Sequence, residues 1–353
     1  MTKKLILHFC SSSPISKSYI EFVNSEFDPN EHYFIIFETS FKYEYPDNTY
    51  FISTQNSKVA YLKLIQKLFK CDKLILHGFF QNLYISRLLT IFPWLIKKTT
   101  WVLWGGDFYD EIEMLPYTKQ LKYRVFFYFK KRILKKIPYY TTYLPHDFYL
   151  AQQFYQSNAK LIECIMYPSN LFKKVKQVIT TSKNEKIILV GNSASRANNH
   201  IEILYKLNSL DIDVGYKVIC PLSYGDMDYQ QEVIAIGNSI FGNKFIPLTK
   251  VIDSESYANL LSTVDIALFN HNRQEGMGTT ITLLGMGKKV YLQNSTSQWL
   301  LFKSLDVKVF DINNSLDSLF KFDINIKQSN ICKIASYFNI ENLINQNSEI
   351  FEG

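Results

Sequence analysis

The sequence predicts an α/β protein of two parallel-sheet domains, and three observations carry that prediction. Short apolar runs alternate with longer stretches of helical spacing, the pattern of strand–helix–strand units. The alternation stops near Tyr167-Pro168 and restarts at Lys186. A chain of 353 residues, 47% of them hydrophobic, is long for one core and well able to fill two.

Taken in order, Lys4–Phe9 reads as the first strand, followed by the turn Ser11-Ser12-Ser13-Pro14 and a helical stretch to Phe27. Tyr33–Phe37 is a second strand, and Val59, Leu62, Leu64, Ile65 and Leu68 space a helix over Asn56–Lys70. Lys73–Leu76 is a strand ending in His77-Gly78-Phe79-Phe80. A helix over Asn82–Phe92 leads to the strand Thr99–Trp104 and then Gly105-Gly106-Asp107. Tyr117–Lys136 has a helical pattern, and Tyr139–Tyr143 with the segment up to Tyr167 completes a first domain, 1–167. Residues 168–185, with several lysines and few regularly spaced apolar residues, read as a linker.

The second domain is expected over 186–330. Ile187–Val190 is a buried strand that Gly191 ends, and Ile201, Leu204, Tyr205 and Leu207 share one side of the next helix. Val214–Cys220, Lys244–Ile246, Asp265–Phe269 and Lys289–Leu292 are further strands. Helices lie between them over Tyr229–Ile240, over Ser254–Ser262 with Asp253 or Ser254 as cap, and up to Met286. Residues 331–353 read as a helical tail.

The net charge of +7 is modest. Cys10, Cys71, Cys164, Cys220 and Cys332 are odd in number, widely spaced and without a CxxC pair. That usage fits reduced, buried cysteines in a cytosolic protein. The apolar part of MTKKLILHFC is too short for a signal peptide, and no apolar run approaches membrane-spanning length.

Chemistry is expected where strands end, since open α/β sheets bind ligands at their carboxyl edges. His8, His77 and Asp107 sit at such ends. Asp107, behind two glycines that let backbone approach a ligand, suits a general base; each histidine taken singly is as well read as structural. In the second domain Gly191, Asn192, Ser193, Arg196 and Asn198 form a polar loop entering a helix, either an ordinary capped turn or an anion site. Glu275, Gly276, Met277, Gly278, Thr279 and Thr280 form a second such loop. Two of them in one domain would suit a nucleotide diphosphate. Neither matches a P-loop nor GxGxxG, which disfavours an ATPase or a dehydrogenase. The DxD pairs Asp211/Asp213 and Asp226/Asp228 could hold a metal in a single-domain sugar transferase, but turn and helix-cap positions explain both, so no metal site is expected.

Tyr117–Lys136 holds eight Lys or Arg and no acid. Arg124, Lys131 and Lys135 fall on one helical face, with Phe126, Phe129, Ile133 and Ile137 on another. That pattern suits either an anionic membrane surface or a core-facing helix with a solvated basic side. Nucleic acid is not expected, because no base-reading module accompanies the charge.

Six segments appear in series: HGFF at 77–80, WGGDFYDE at 104–111, LKYR at 121–124, GNSASRANNH at 191–200, PLSYG at 221–225 and QEGMGT at 274–279. Together, over roughly residues 70–300, they resemble glycosyltransferase family 56. Its enterobacterial member transfers a 4-acetamido-4,6-dideoxygalactosyl group from a dTDP-sugar to a polyprenyl-diphosphate-linked acceptor. The resemblance implies a GT-B architecture, two Rossmann-like domains facing across a cleft, with acceptor binding in the first and nucleotide-sugar binding in the second. It implies a metal-independent, cofactor-free transferase working peripherally on the cytoplasmic face of the bacterial inner membrane. Gly191, Asn192, Ser193, Arg196 and Asn198 would face the diphosphate, Glu275–Thr280 would close over phosphate and sugar, and Tyr224 would lie near the nucleotide. Asp107 or His77 would be the base, and the basic helix would meet the lipid. The enterobacterial member reads GDS and WGAD where this chain has Asn192 and Gly106, and many retaining GT-B enzymes carry Glu where this chain has Leu283. Donor sugar, acceptor and stereochemical course stay open. A non-catalytic nucleotide-sugar-binding protein of the same fold and a metal-dependent GT-A transferase are the rival readings.

Overall fold

A computed structural model of the chain describes residues 4–37, 43–52, 58–80, 82–114, 119–174, 185–316 and 318–352. They belong to two compact units, 1–169 with 340–353, and 170–339.

Among the described residues, the first unit has seven parallel strands: β1 (Ile6–Cys10), β2 (His32–Ile36), β3 (Thr49–Phe51), β4 (Lys73–His77), β5 (Thr99–Val102), β6 (Tyr139–Thr141) and β7 (Lys160–Ile162), in the order β3-β2-β1-β4-β5-β6-β7. The helices are α1 (Pro14–Glu26), α2 (Lys58–Lys70), α3 (Leu83–Ile91), α4 (Gly106–Met114), α5 (Leu121–Leu134) and α6 (Pro145–Tyr155). The chain moves one way across the sheet from β1 to β3 and the other way from β3 to β7. Right-handed crossovers therefore put α1 on one face and α2, α3, α5 and α6 on the other. With both faces covered, β1 and β5 are buried along their whole length, His8, Thr99 and Thr100 included. Ser13 caps α1 by accepting from the Ser16 N–H at 3.1 Å, and Asn82 caps α3 by accepting from Tyr84 and Ile85.

The second unit has a sheet in the order β10-β9-β8-β11-β12-β13, all of its pairs parallel. Its strands are β8 (Glu185–Val190), β9 (Gly215–Pro221), β10 (Phe245–Leu248), β11 (Ile266–Phe269), β12 (Lys289–Leu292) and β13 (Phe310–Asp311). Its helices are α7 (His200–Asn208), α8 (Met227–Phe241), α9 (Ser254–Thr263), α10 (Met277–Gly285), α11 (Ser297–Ser304) and α12 (Ile324–Tyr337). Asp226 caps α8 and Asp253 caps α9.

The last helix, α13 (Ile340–Glu352), returns to the first unit. Asn347 Oδ1 accepts the Tyr19 hydroxyl at 3.0 Å, and Phe351 packs on Phe27 and His32. Lys4 and Lys73 donate to carbonyls of its final turn, where a helix leaves acceptors unpaired.

Several expectations need correcting. The stretch 331–353 is not one tail: 331–339 stay with the second unit and 340–353 with the first. Lys136 and Lys135 follow the end of α5, which starts at Leu121; Tyr117 lies outside the described residues. Phe129 is 39% exposed rather than core-facing. Of the expected linker, 175–184 lie outside the described residues and Glu185 already belongs to β8. The strand expected over Thr99–Trp104 ends at Val102, and Gly106-Asp107 opens α4.

Candidate active site

In each sheet the strand order reverses once, at β1/β4 and at β8/β11, and loops leaving such a pair diverge to form a crevice. In the second unit both predicted anion loops leave that point. Gly191 ends β8 with φ +67°, and a Cβ there would lie 2.1 Å from His200 Nε2, so only glycine fits. Gly276, with φ +65°, caps α10 so closely that a Cβ would lie 2.7 Å from Asn192 Cγ. The two loops therefore touch where Gly276 meets the Asn192 side chain.

Glu275 ties them together. Its Oε1 accepts from Ser195 Oγ and from Arg273 Nε, each at 3.0 Å, and its Oε2 accepts from Asn198 Nδ2 at 2.6 Å. Asn198 in turn accepts the Asn192 N–H at 2.8 Å, and Gln298 of α11 donates to the Glu275 carbonyl. The loop after β9 is stitched on by backbone bonds: the Ala194 N–H donates to the Tyr224 carbonyl at 2.7 Å, and the Asp226 N–H to the Ala194 carbonyl at 3.0 Å. The Asn192 side chain donates to the Tyr224 hydroxyl at 3.4 Å, and its own buried Oδ1 has no partner among the described residues. The first N–H groups of α10 have no acceptor within the helix and open beside Gly278 and Thr279. Behind these loops His200 and His271 are fully buried, which lowers their pKa to about 4 and about 3 and keeps both rings neutral.

Not every predicted donor residue lies in this arrangement. Thr280 returns its hydroxyl to the Gly276 carbonyl, Met277 is 4% exposed in the core, and Ser193 is buried. Arg196 turns away: its Nε donates to Asp226 Oδ2 at 2.8 Å, Nη1 lies 3.5 Å from Glu232, and the guanidinium covers Tyr229. Two carboxylates already meet its charge. Arg273, two residues before Glu275, is the cation within the loops, and that spacing was the available signal. Asp226, bonded to two backbone N–H groups and to Arg196, is a committed cap rather than half of a metal-binding pair.

In the first unit His77 and Asp107 are both 2% exposed. Trp104 Nε1 donates to the Tyr167 hydroxyl at 2.6 Å, and that hydroxyl pairs with His77 Nδ1 at 2.8 Å. His77 Nε2 lies 3.1 Å from His8 Nδ1, and His8 Nε2 lies 3.0 Å from His32 Nδ1. Both ring nitrogens of His77 and both of His8 therefore have partners, one donating and one accepting in each neutral ring whichever tautomer is present. The one lone pair of a neutral His77 is taken, and His8 sits inside β1 rather than at its end. Asp107 accepts at Oδ2 from the Phe79 N–H (2.8 Å) and Trp101 Nε1 (2.9 Å), and at Oδ1 from the Trp104 N–H (3.0 Å). Burial raises its pKa, against the pull of Lys130, whose ammonium bonds the Asp107 carbonyl and Glu111. Asp107 is thus built into the interior, because the sequence could not say which way a strand-end side chain points, whereas His77, though 2% exposed, borders a cavity. That cavity, of about 380 Å³, opens at the carboxyl ends of β1 and β4 and is lined by His77, Phe37, Phe80 and Tyr84, with Phe37 and Tyr84 stacked.

Two Rossmann-like units, each with its switch point, define the GT-B class of glycosyltransferases, and solved structures of that class share the fold. Sucrose-phosphate synthase from Thermosynechococcus elongatus is similar over 99% of this chain and 98% of its own, with a TM-score of 0.71 and 10% identity. Anabaena HepE, solved in complex with UDP and glucose, is similar over 99% and 100%, at 0.69 and 13%. WaaG, a glycosyltransferase of lipopolysaccharide biosynthesis, is similar over 98% of each chain, at 0.65 and 10%. The sequence model of the 4-alpha-L-fucosyltransferases, glycosyl transferase group 56, matches residues 16–341. The chain belongs to that family and is a glycosyltransferase.

Proposed function

We propose that the chain transfers a deoxy or acetamido sugar from a dTDP-linked donor to a polyprenyl-diphosphate-linked glycan, on the cytoplasmic face of the bacterial inner membrane. The observation that carries the donor half is the Glu275 knot, which holds two strand-end loops around the open N-terminus of α10, with the loop after β9 bonded to the first of them. The N–H groups there, with Gly278 and Thr279, meet the diphosphate, and Arg273 supplies charge that also stabilises it as a leaving group. Asn192 and Tyr224 border the sugar or the base. HepE, of the same fold, holds UDP and glucose. The cavity beside Phe37, Phe80 and Tyr84 takes the acceptor sugar, and the Arg124, Lys131 and Lys135 side of α5 meets the membrane. No helix among the described residues is long and apolar enough to cross one.

Thermal unfolding with a panel of dTDP-, UDP- and GDP-sugars tests the donor assignment. A dTDP-sugar at a hundred times its Kd adds about 2.7 kcal/mol of stability. Glu275→Gln should abolish that gain, and Arg196→Ala should leave it intact. A panel without effect, or a gain lost only in Arg196→Ala, would overturn the assignment.

A further inference from the structure

The first sheet has two unlike faces. On one, α1 carries Glu21 and Glu26, and α13 carries Glu341, Glu349 and Glu352 with no Lys or Arg. On the other, α2, α3, the turn Pro93–Lys98 and α5 contain no Asp or Glu, while each carries Lys or Arg; the acids between that turn and α5 are on α4, where Asp107 and Glu111 are buried and Asp110 and Glu113 exposed. The sole acid of the next helix, Asp147 of α6, is buried against Tyr109. The basic character of α5 is therefore the end of a layer rather than a property of one helix.

The same layer displays large apolar side chains. Phe69 of α2 is 58% exposed and Trp94 is 42% exposed, and with Phe92 they form a ring cluster with centroids 5.2 to 5.8 Å apart. Leu62 and Ile91 are exposed on the same helices, and Leu121, Val125 and Tyr128 on α5. Exposed Lys63, Lys70 and Lys97 belong to the elements that carry the aromatic cluster. Rings and aliphatics set among lysines with no acid are what an anionic bilayer recognises: apolar groups enter the headgroup boundary and cations stay with the phosphates.

We infer that the membrane-docking face of this chain extends from α5 across α3 to α2, with the Phe69–Phe92–Trp94 cluster as a second, apolar foot. The inference rests on the membrane reading given for α5, and deepens it: one helix would tether the enzyme, whereas two separated contacts fix its orientation on the lipid. A protein partner could use the apolar rings, but it would give no reason for Lys or Arg without acid on each of the elements that display them.

Co-sedimentation of the full chain with phosphatidylcholine vesicles, with and without phosphatidylglycerol, tests this. Wild type should bind the anionic vesicles. Phe69→Ser with Trp94→Ser should lower partitioning about tenfold while leaving circular dichroism and the nucleotide-sugar thermal shift unchanged. Charge reversal at Arg124, Lys131 and Lys135 should also weaken binding. Quenching by brominated lipid should fall in Trp94→Phe, since of the four tryptophans Trp94 is the exposed one, Trp104 and Trp299 being half-buried and Trp101 buried. If only the α5 reversal matters and quenching is unchanged in Trp94→Phe, the second foot is refuted and the membrane reading stands. If wild type fails to bind, both fall. If the double variant changes self-association and not vesicle binding, the patch serves a second copy of this chain and the inference is overturned.

Discussion

Asp107 receives three N–H groups on a side chain that water scarcely reaches. Replacing it with Asn turns one acceptor oxygen into a donor facing donors, and removes the charge that offsets Lys130. Leaving buried groups unmatched in this way costs about 1–3 kcal/mol, more where charge is involved. Asp107→Asn should therefore lower the unfolding temperature markedly while the molecules that remain folded keep turnover of the wild-type order. Measuring both on one preparation separates the readings: a variant of wild-type stability without turnover would restore Asp107 as the base. The same logic applies to arginine. Arg196 and Arg273 both lie in polar, glycine-bearing loops, and the two-residue spacing to Glu275 is the local difference; what decides is that Arg196 meets Asp226, thirty residues away, while Arg273 meets its own loop's Glu275.

At the scale of elements, legibility followed burial. The strands β1, β4, β8 and β11 stand at the middle of their sheets, so helices cover both faces and a largely apolar run announces them. Three-residue β3 and β7 stand at the edges of the first sheet, where a short strand buries too little to leave a pattern. Both glycine loops of the donor site were readable because a positive φ and a close approach demand glycine. The knot between them was not, because it joins Ser195 and Asn198 to a residue almost eighty positions on. Least readable was α13, whose amphipathic pattern says that it packs but not on which unit. Its contacts there predict a specific dependence. Removing 340–353 exposes Tyr19, His32 and Phe27 and leaves Lys4 and Lys73 without acceptors. Amide exchange should then rise across β1, β2 and α1, while β8, β9 and β11 keep their protection. Equal protection in both units after truncation would show that α13 contributes nothing to the first core.

For the molecule as a whole, the buried imidazoles set its response to acid. His8, His32 and His77 lie in the first unit, and His200 and His271 in the second. Burial lowers the folded-state pKa of His32 and His200 to about 4 and of His77 and His271 to about 3, and lowers that of His8 as well. The unfolded chain therefore takes up protons first as pH falls. Stability is full above the unfolded value of about 6.5 and is lost as pH drops toward the folded values. Each imidazole costs roughly 2 kcal/mol by pH 5, and together they approach the 5–15 kcal/mol that holds a typical native state. Asp107 and Glu111, shifted upward by burial, act in the opposite sense, but they are two groups against five. The unfolding temperature should be flat between pH 7 and 8 and fall steeply below about 6.5, with net proton uptake on unfolding at pH 5.5. Because both units carry such rings, acid should weaken both together rather than melt one and spare the other. A profile level down to pH 5, measured by calorimetry in buffers of different ionisation enthalpy, would mean that these imidazoles are reached by water.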